Sequence, residues 1–331
     1  DKLDEFFCRV FSVDLDKKTN SKKALSLAIK SKIFNMQSKL KSKKVAEHHY
    51  DLGNDFYADM LDKRMQYTCA YWKDAKTLDK AQENKLDLIC RKIGLKKGDK
   101  ILELGSGWGG FAKYAAEKYG AKVEAYNISK EQVRYAQENA GKLPIKYNLS
   151  DYRKAKGKFD HIVSIGLFEH VGYKNYRALM KLANDKLKDG GLFLLHTIGG
   201  NFSKTSTDPW IDKYIFPGGV IPSISQIGKA SENLFVIEDW HNFGTDYDKT
   251  LMAWHNNFNK NWNKIKKNYN KRFKRMWDYY LLSCAGGFRT GKQLQLWQIV
   301  FSKNGIPSVK RYLDEVEGHR LSDLWTNIKP M

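Results

Sequence analysis

One stretch, Lys100-Ile-Leu-Glu-Leu-Gly-Ser-Gly-Trp-Gly-Gly110, constrains the chain more than any other. Residues 101–104 form a short apolar run that predicts a buried strand, and the run breaks directly into Gly105, Gly107, Gly109 and Gly110. Phe111-Ala-Lys-Tyr-Ala-Ala-Glu117 then begins a helical pattern. A glycine-rich turn between strand and helix lets backbone approach a ligand closely and aims the first helical N–H groups at it. The spacing Gly-x-Gly-x-Gly-Gly is a tighter form than the dinucleotide turn, which argues against a pyrophosphate ligand. An ordinary turn in some other α/β domain is the competing explanation.

Around this turn strands and helices alternate, which predicts a parallel sheet. Further strands are expected at 123–127, 159–165, 190–199, 234–240 and 294–301. Helices are expected from an Asp79 cap to about 93, from a Ser129 cap to about 139, near 175–187, from about 223, and over 247–268 and 270–288. The aromatic segments 48–57 and 65–72 suit an irregular lid better than a core helix. Ligands of open α/β sheets sit beyond the carboxyl ends of the strands. That rule gathers Glu103, Gly105, Asn127, Glu169, His196 and Ile198 around one crevice.

With 331 residues, 42% of them hydrophobic, the chain can bury a large core as one or two domains. No apolar run approaches the roughly 20 residues of a spanning helix. Four scattered cysteines (Cys8, Cys69, Cys90, Cys284) suggest reduced thiols in a cytosol. His48-His49 and Glu169-His170 lack a third ligand at suitable spacing, so no metal is expected. The net charge of +21 favours polyanions, either nucleic acid or the anionic face of a bilayer, unless it reflects coding bias alone. Residues 1–44 carry twelve Lys/Arg against five Asp/Glu, and 258–292 carry ten against one. Within the first region, 24–34 reads as a basic amphipathic helix, suited equally to a membrane surface or to packing with a lysine-covered outer face.

The segments HYDLGNDFY, YTCAYW, ELGSGWGG, FEHVG, LLHTIG, DPWIDKYIFPGG, EDWHNFGTDYDKTLMAW and QLWQIVFS occur in that order. Together they resemble the cyclopropane-fatty-acyl-phospholipid synthases, within the mycolic acid cyclopropane synthase superfamily, over roughly residues 1–302. The glycine turn likewise resembles the nucleoside-binding turn of S-adenosylmethionine (SAM) methyltransferases. The resemblance implies a Rossmann-like α/β sheet of seven strands, mostly parallel with the last antiparallel. It also implies a helical N-terminal remnant over 1–44, a catalytic domain over 45–302 with a helical insertion before the last strand, and a tail over 303–331 outside the family pattern. The family's further N-terminal helical domain would be represented only by its last portion. The tail is weakly similar to a segment of some DNA methyltransferases.

The implied reaction moves a one-carbon unit from SAM to a cis double bond of a phospholipid acyl chain and closes a cyclopropane. An alkene is a poor nucleophile, so donor and π bond must be pressed together in a dry pocket. Aromatic walls shield and stabilise the resulting cation, and a base then removes a proton. By resemblance that base is bicarbonate, caged by Cys69, Glu169, His196, the backbone of Ile198, and Tyr247. Tyr67 and Thr68 would flank the methionine part of SAM, and Glu103, Gly105, Gly107, Trp108 and Gly109 would meet the nucleoside. Gln132 and Asn127 would serve the ribose in place of the usual carboxylate, and Asp151 and Tyr152 the adenine edge. Phe168, Tyr173, Trp210, Tyr214, Phe216 and Trp254 are candidates for an acyl channel, with core packing the alternative for each.

The implied partner is unsaturated phospholipid in an anionic membrane, met peripherally from the cytoplasmic face, with a homodimer as the candidate self-association. Close alternatives are a methyltransferase that leaves a methyl branch on the acyl chain or methylates an amine. A nucleic-acid methyltransferase is disfavoured, since no Asn/Asp-Pro-Pro-Tyr-type loop occurs and Asp208-Pro-Trp is a poor match.

Overall fold

A computed structural model describes residues 2–13, 53–292 and 294–305. The expected basic helix at 24–34, His48-His49 and the tail beyond 305 lie outside the described residues. The glycine stretch does what its pattern predicts. β1 (Lys100–Leu104) runs into the turn, and α4 (Gly110–Tyr119) leaves it. Gly105 has φ +76°, and an added Cβ there would lie 3.1 Å from the Leu167 side chain. The N–H groups of Gly105 and Ser106 both donate to the Tyr126 carbonyl, at 3.0 and 3.1 Å, which moors the turn to the neighbouring strand.

That neighbour is β2 (Lys122–Asn127), followed by β3 (Ile145–Leu149), β4 (Phe159–Ile165), β5 (Leu187–Gly199), β6 (Val236–Asn242) and β7 (Gln295–Ser302). The strand order is β3-β2-β1-β4-β5-β7-β6. The first five strands pair in parallel, while β7 lies antiparallel between β5 and β6. The connections therefore run outward to opposite edges of the sheet from between β1 and β4, which opens a crevice at their carboxyl ends.

Both faces of the sheet are covered, so alternate residues of each strand feed separate cores. Ile101, Val123, Val163, Leu194 and Val300 face α3 (Leu78–Lys92), α4 and α5 (Lys130–Glu138). Leu102, Ile162, Phe193, Leu195 and Phe301 face the other way, onto Tyr176, Leu179 and Met180 of the helix Tyr176–Lys186 and Ile227 of the helix Ile224–Ser231. A third cluster joins α2 (Gly53–Met60) to two long helices inserted before β7, Thr245–Lys260 and Lys271–Arg289. Phe56, Trp277 and Phe273 form its edge-to-face and stacked centre, with centroids 5.0 to 5.5 Å apart. Such pairs add about 0.5–1.5 kcal/mol each beyond area burial. The N-terminal helix α1 (Leu3–Ser12) packs on the last long helix at Gly286, where a Cβ would meet the Asp4 carbonyl at 2.5 Å. Arg289 fixes the contact with ion pairs of 2.8 Å to both Asp4 and Asp248.

Four expectations about local structure need correction. Asp79 does not cap α3. Thr77 accepts from the Lys80 N–H, and Asp79 lies in the first turn, its carboxylate accepting from the Lys63 N–H. Part of the supposed lid is helix α2, because Phe56, Tyr57 and Met60 find an apolar face to pack against. The strand expected at 234–240 is shifted to Val236–Asn242. The helix expected over 247–268 ends at Lys260, with a single further turn at Trp262–Ile265. Ser129, by contrast, caps α5 as expected.

Candidate active site

A cavity of about 990 Å³ opens above the carboxyl ends of β1, β4 and β5. Its wall brings together Tyr67, Thr68, Cys69, Glu103, Gly105, Gly107, Trp108, Asn127, Gln132, Asp151, Tyr152, Glu169, His196, Ile198, Trp210, Phe216 and Tyr247. These residues come from eight separate stretches of sequence, five of them at or just beyond the ends of β1 to β5.

The glycine turn forms the polar end. Asn127 Nδ2 donates to the Gly107 carbonyl at 3.0 Å and to Gln132 Oε1 at 2.8 Å. That orientation leaves Gln132 Nε2 buried with no hydrogen-bond partner among the described residues. Glu103 at the end of β1 likewise leaves Oε2 without a partner, and burial pushes its carboxyl well above the usual range. Asp151 caps the next turn by accepting from the Arg153 N–H at 2.9 Å, and it pairs with the Arg153 guanidinium. Buried polar atoms in folded proteins are almost always satisfied, so orphaned groups on one cavity wall are evidence of a polar ligand.

Deeper in lies a second polar group. Glu169 lies in the first turn of a short helix (Phe168–Val171) after β4, and its Oε1 accepts the Ile198 N–H at 2.7 Å. Its Oε2 is buried and without a partner among the described residues. Burial raises the Glu169 carboxyl to about 7, against the opposing pull of the Ile198 amide. His196, on β5, is 1% exposed, with Nδ1 3.4 Å from Gln298 Nε2 and Nε2 without a partner among the described residues. Burial drives its pKa far below the ordinary value, so the ring is neutral. Burial also pushes the Cys69 thiol and the Tyr247 phenol up, and both keep their protons. The Ile198 amide, expected to face a bound anion directly, is engaged by Glu169 instead.

Five expected residues stand off the wall. Gly109 caps α4, its carbonyl accepting from Tyr147 Oη at 3.1 Å. Phe168 stacks on Tyr176 at 4.1 Å inside the sheet core, and Tyr173 packs against the same core. Trp254 is fully buried behind the wall, with its ring 5.1 Å from Tyr67 and 5.9 Å from Tyr247. Tyr214 is exposed beside Trp210, at 5.5 Å.

The apolar end holds residues that the sequence did not single out: Phe7, Phe11, Tyr279, Cys284 and Phe288. Phe7 packs edge-on against Tyr279 at 5.5 Å, and Trp210 lies against Tyr279 at 4.5 Å. Phe7 and Phe11 are one helical turn apart on α1, so the i,i+4 spacing was the available signal.

A family model, mycolic acid cyclopropane synthetase, matches residues 37–299. The chain belongs to this family. The cyclopropane-fatty-acyl-phospholipid synthase of Escherichia coli (strain K12) is 50% identical over 305 residues, spanning 92% of this chain and 79% of the relative. A probable fatty acid methyltransferase of Pseudomonas putida is 36% identical over 293 residues, covering 84% and 71%. Among solved structures, mycolic acid cyclopropane synthase CmaA1 complexed with SAH and CTAB superposes with a TM-score of 0.73 at 31% identity. That match covers 79% of this chain and 98% of the other. The family's matched span runs from before α2 into β7, so it includes the glycine turn, Glu169, His196 and Tyr247. The fold is that of SAM-dependent methyltransferases, with β7 as the antiparallel strand of a mostly parallel seven-stranded sheet.

Proposed function

We propose that the chain transfers a methylene unit from SAM to the cis double bond of an unsaturated acyl chain in a membrane phospholipid, forming a cyclopropane. The main support is that two buried atoms without a partner among the described residues, Glu169 Oε2 and His196 Nε2, share one cavity with the glycine turn. An amine acceptor needs only to be placed against a methyl donor. An alkene acceptor also leaves a proton on the transferred carbon, and removing it requires a polar group inside an otherwise apolar wall.

The residues fit both implied ligands. Glu103, Gln132, Asn127, Asp151, Tyr152 and the turn glycines would hold SAM, with Tyr67 and Thr68 toward its methionine part. Cys69 and Tyr247 are both kept protonated by burial: the phenol would donate to a small anion, the thiol would do so by turning from the Ala70 carbonyl 3.2 Å away, and His196 and Glu169 hold open polar atoms beside them. Cys69, Glu169, His196 and Tyr247 would thus hold bicarbonate, with the Ile198 amide acting through the Glu169 carboxyl that it orients. When bound, SAM supplies an electrophilic methyl group and bicarbonate supplies the base. Phe7, Phe11, Trp210, Phe216 and Tyr279 keep water from the acceptor end and would line the path of an acyl chain. The substrate would be drawn from an anionic bilayer that the enzyme approaches peripherally on its cytoplasmic side. The supporting observation is 58 Lys/Arg against 37 Asp/Glu.

The test is to incubate the protein with SAM and vesicles of unsaturated phospholipid, then measure lipid masses. Gain of one CH₂ with loss of the double bond is expected. Gain of CH₂ with the double bond retained or reduced would assign a methyl-branching enzyme. Methylation of an amine or of DNA, with lipid unchanged, would sink the proposal.

A further inference from the structure

Behind the polar end of the cavity, α3 presents a buried polar ledge. Gln82 and Lys85 are both 0% exposed, although they lie on a helix whose other buried positions include Ala81, Leu86 and Ile89. Gln82 Nε2 donates to the Thr68 carbonyl at 2.8 Å. Lys85 Nζ donates to Gln66 Oε1 at 2.6 Å and to Thr68 Oγ1 at 2.9 Å. From the opposite side Asp62 Oδ1 accepts the Gln66 N–H at 2.8 Å. Gln66, Tyr67 and Thr68 line the cavity, and Lys85 sits one layer behind them.

This is an expensive place for an ammonium group. A buried cation is ordinarily matched by a carboxylate in direct contact. Here the hydrogen-bond acceptors are a neutral amide and a neutral hydroxyl, both on the strip that faces the cavity. Asp62 and Glu103 act on the ammonium through space. Glu103 is 2% exposed, lines the same cavity and leaves Oε2 without a partner among the described residues. Lys85 is the cation that offsets it. A core that needed only stability is served as well or better by an apolar side chain of similar volume.

We propose that Lys85 is a positioning residue for the methyl donor, pinning the Gln66–Thr68 strip from behind. This rests on the assignment of Thr68 and Glu103 to the SAM-binding wall. Without the pin, the strip keeps its Asp62 and Gln82 bonds and the Gln66 Nε2 bond to the Arg64 carbonyl, but loses the two that its side-chain oxygens accept from Lys85. Thr68 Oγ1 and Gln66 Oε1 then rotate away from their bound orientation. That change weakens the hold on SAM more than it slows the chemistry that follows.

The experiment uses the full chain and SAM itself, with calorimetric binding, KM and kcat on unsaturated phospholipid vesicles, and melting temperature. Lys85→Met is expected to weaken SAM binding and raise its KM by about tenfold or more, with a smaller change in kcat at saturating SAM. Gln66→Met keeps the ammonium and removes one acceptor, and should raise the KM by about threefold. The Lys85→Met/Thr68→Val double variant should bind SAM no worse than the poorer single variant, because both remove the same contact. A purely structural lysine would lower the melting temperature while leaving KM at its original value, and that result would overturn the proposal. If Lys85→Met were too unstable to assay, an unchanged KM in Gln66→Met would still overturn it. Failure of the unaltered chain to bind SAM would overturn the donor assignment and this proposal together.

Discussion

The Ile198 N–H donates to Glu169 Oε1 at 2.7 Å, tying the end of β5 to the short helix that follows β4. One carboxylate oxygen is therefore committed to backbone and the other is left facing an unfilled need. A side chain fixed in this way cannot swing to meet a substrate. It presents one oxygen in one place, as a preorganised site requires.

Glu169→Gln keeps the shape and can still accept from Ile198, but it removes the ionisable oxygen. We expect turnover to fall by about 10² or more, the range for loss of a positioned acid–base group, with SAM affinity within about twofold. Steady-state rates on unsaturated vesicles and calorimetric SAM binding measure the two effects separately. Full turnover in this variant would remove Glu169 from the chemistry.

The same carboxyl makes stability depend on pH. Burial raises it from 4.5 to about 7, so the folded chain binds its proton more tightly than the unfolded chain. Its contribution is fully present below about 4.5 and is lost as pH rises through about 7. The shift is worth roughly 3 kcal/mol at most. Melting temperatures of the ligand-free protein should fall across that window more steeply than those of Glu169→Gln. Parallel pH profiles for the two proteins would contradict the raised value.

Gly105→Ala places a Cβ at φ +76° and 3.1 Å from Leu167. The left-handed conformation costs about 1–2 kcal/mol for a non-glycine residue, before Leu167 is displaced. Because the turn also carries ligand-facing backbone, SAM affinity should fall alongside the melting temperature. An alanine variant with unchanged affinity would show that the turn does not approach the cofactor closely.

Vesicle binding should depend on charge and salt. Lys266, Lys267, Lys271, Arg272 and Arg275 are all exposed. A basic residue near an anionic surface contributes on the order of 1 kcal/mol. Binding to anionic vesicles at low salt should exceed binding to neutral ones, and Lys266→Glu/Lys267→Glu/Arg272→Glu should lower it by more than tenfold. Equal binding to both vesicle types would end the electrostatic account.

Local strong signals carried most of the fold into the sequence. The run Ile101–Leu104 with its glycines fixed β1, the turn and α4 because apolar burial and φ demands coincide there. Polar residues at successive strand ends point to Glu103, Asn127, Glu169 and His196, and the cavity brings all four together. What was not legible depends on distant partners. β3 (Ile145–Leu149) alternates apolar and polar residues over only five positions at the sheet edge, too short a run to stand out before the sheet is assembled. Gly53-Asn54-Asp55 looks like a turn, yet α2 is helical because Phe56, Tyr57 and Met60 dock on the long helices some two hundred residues later. Phe7 and Phe11 enter the cavity wall only because α1 packs on a helix near the other end of the described chain. Phe168 was misplaced for the converse reason. It neighbours a site residue in sequence but turns into the sheet core to stack on Tyr176.

The helical insertion leaves β6 at Asn242 and returns at Gln295, and these ends meet. Asn242 pairs with Trp297, and its Nδ2 donates to Gln295 Oε1 at 3.3 Å. The excursion thus begins and finishes at a single pinch point on adjacent strands, and it carries Tyr247, Tyr279, Cys284 and Phe288 to the cavity. A segment closed at its neck in this way is a cassette. Grafting the 243–294 stretch from a relative with a different acceptor onto this sheet would exchange the acceptor wall while leaving the glycine turn and Glu169 untouched.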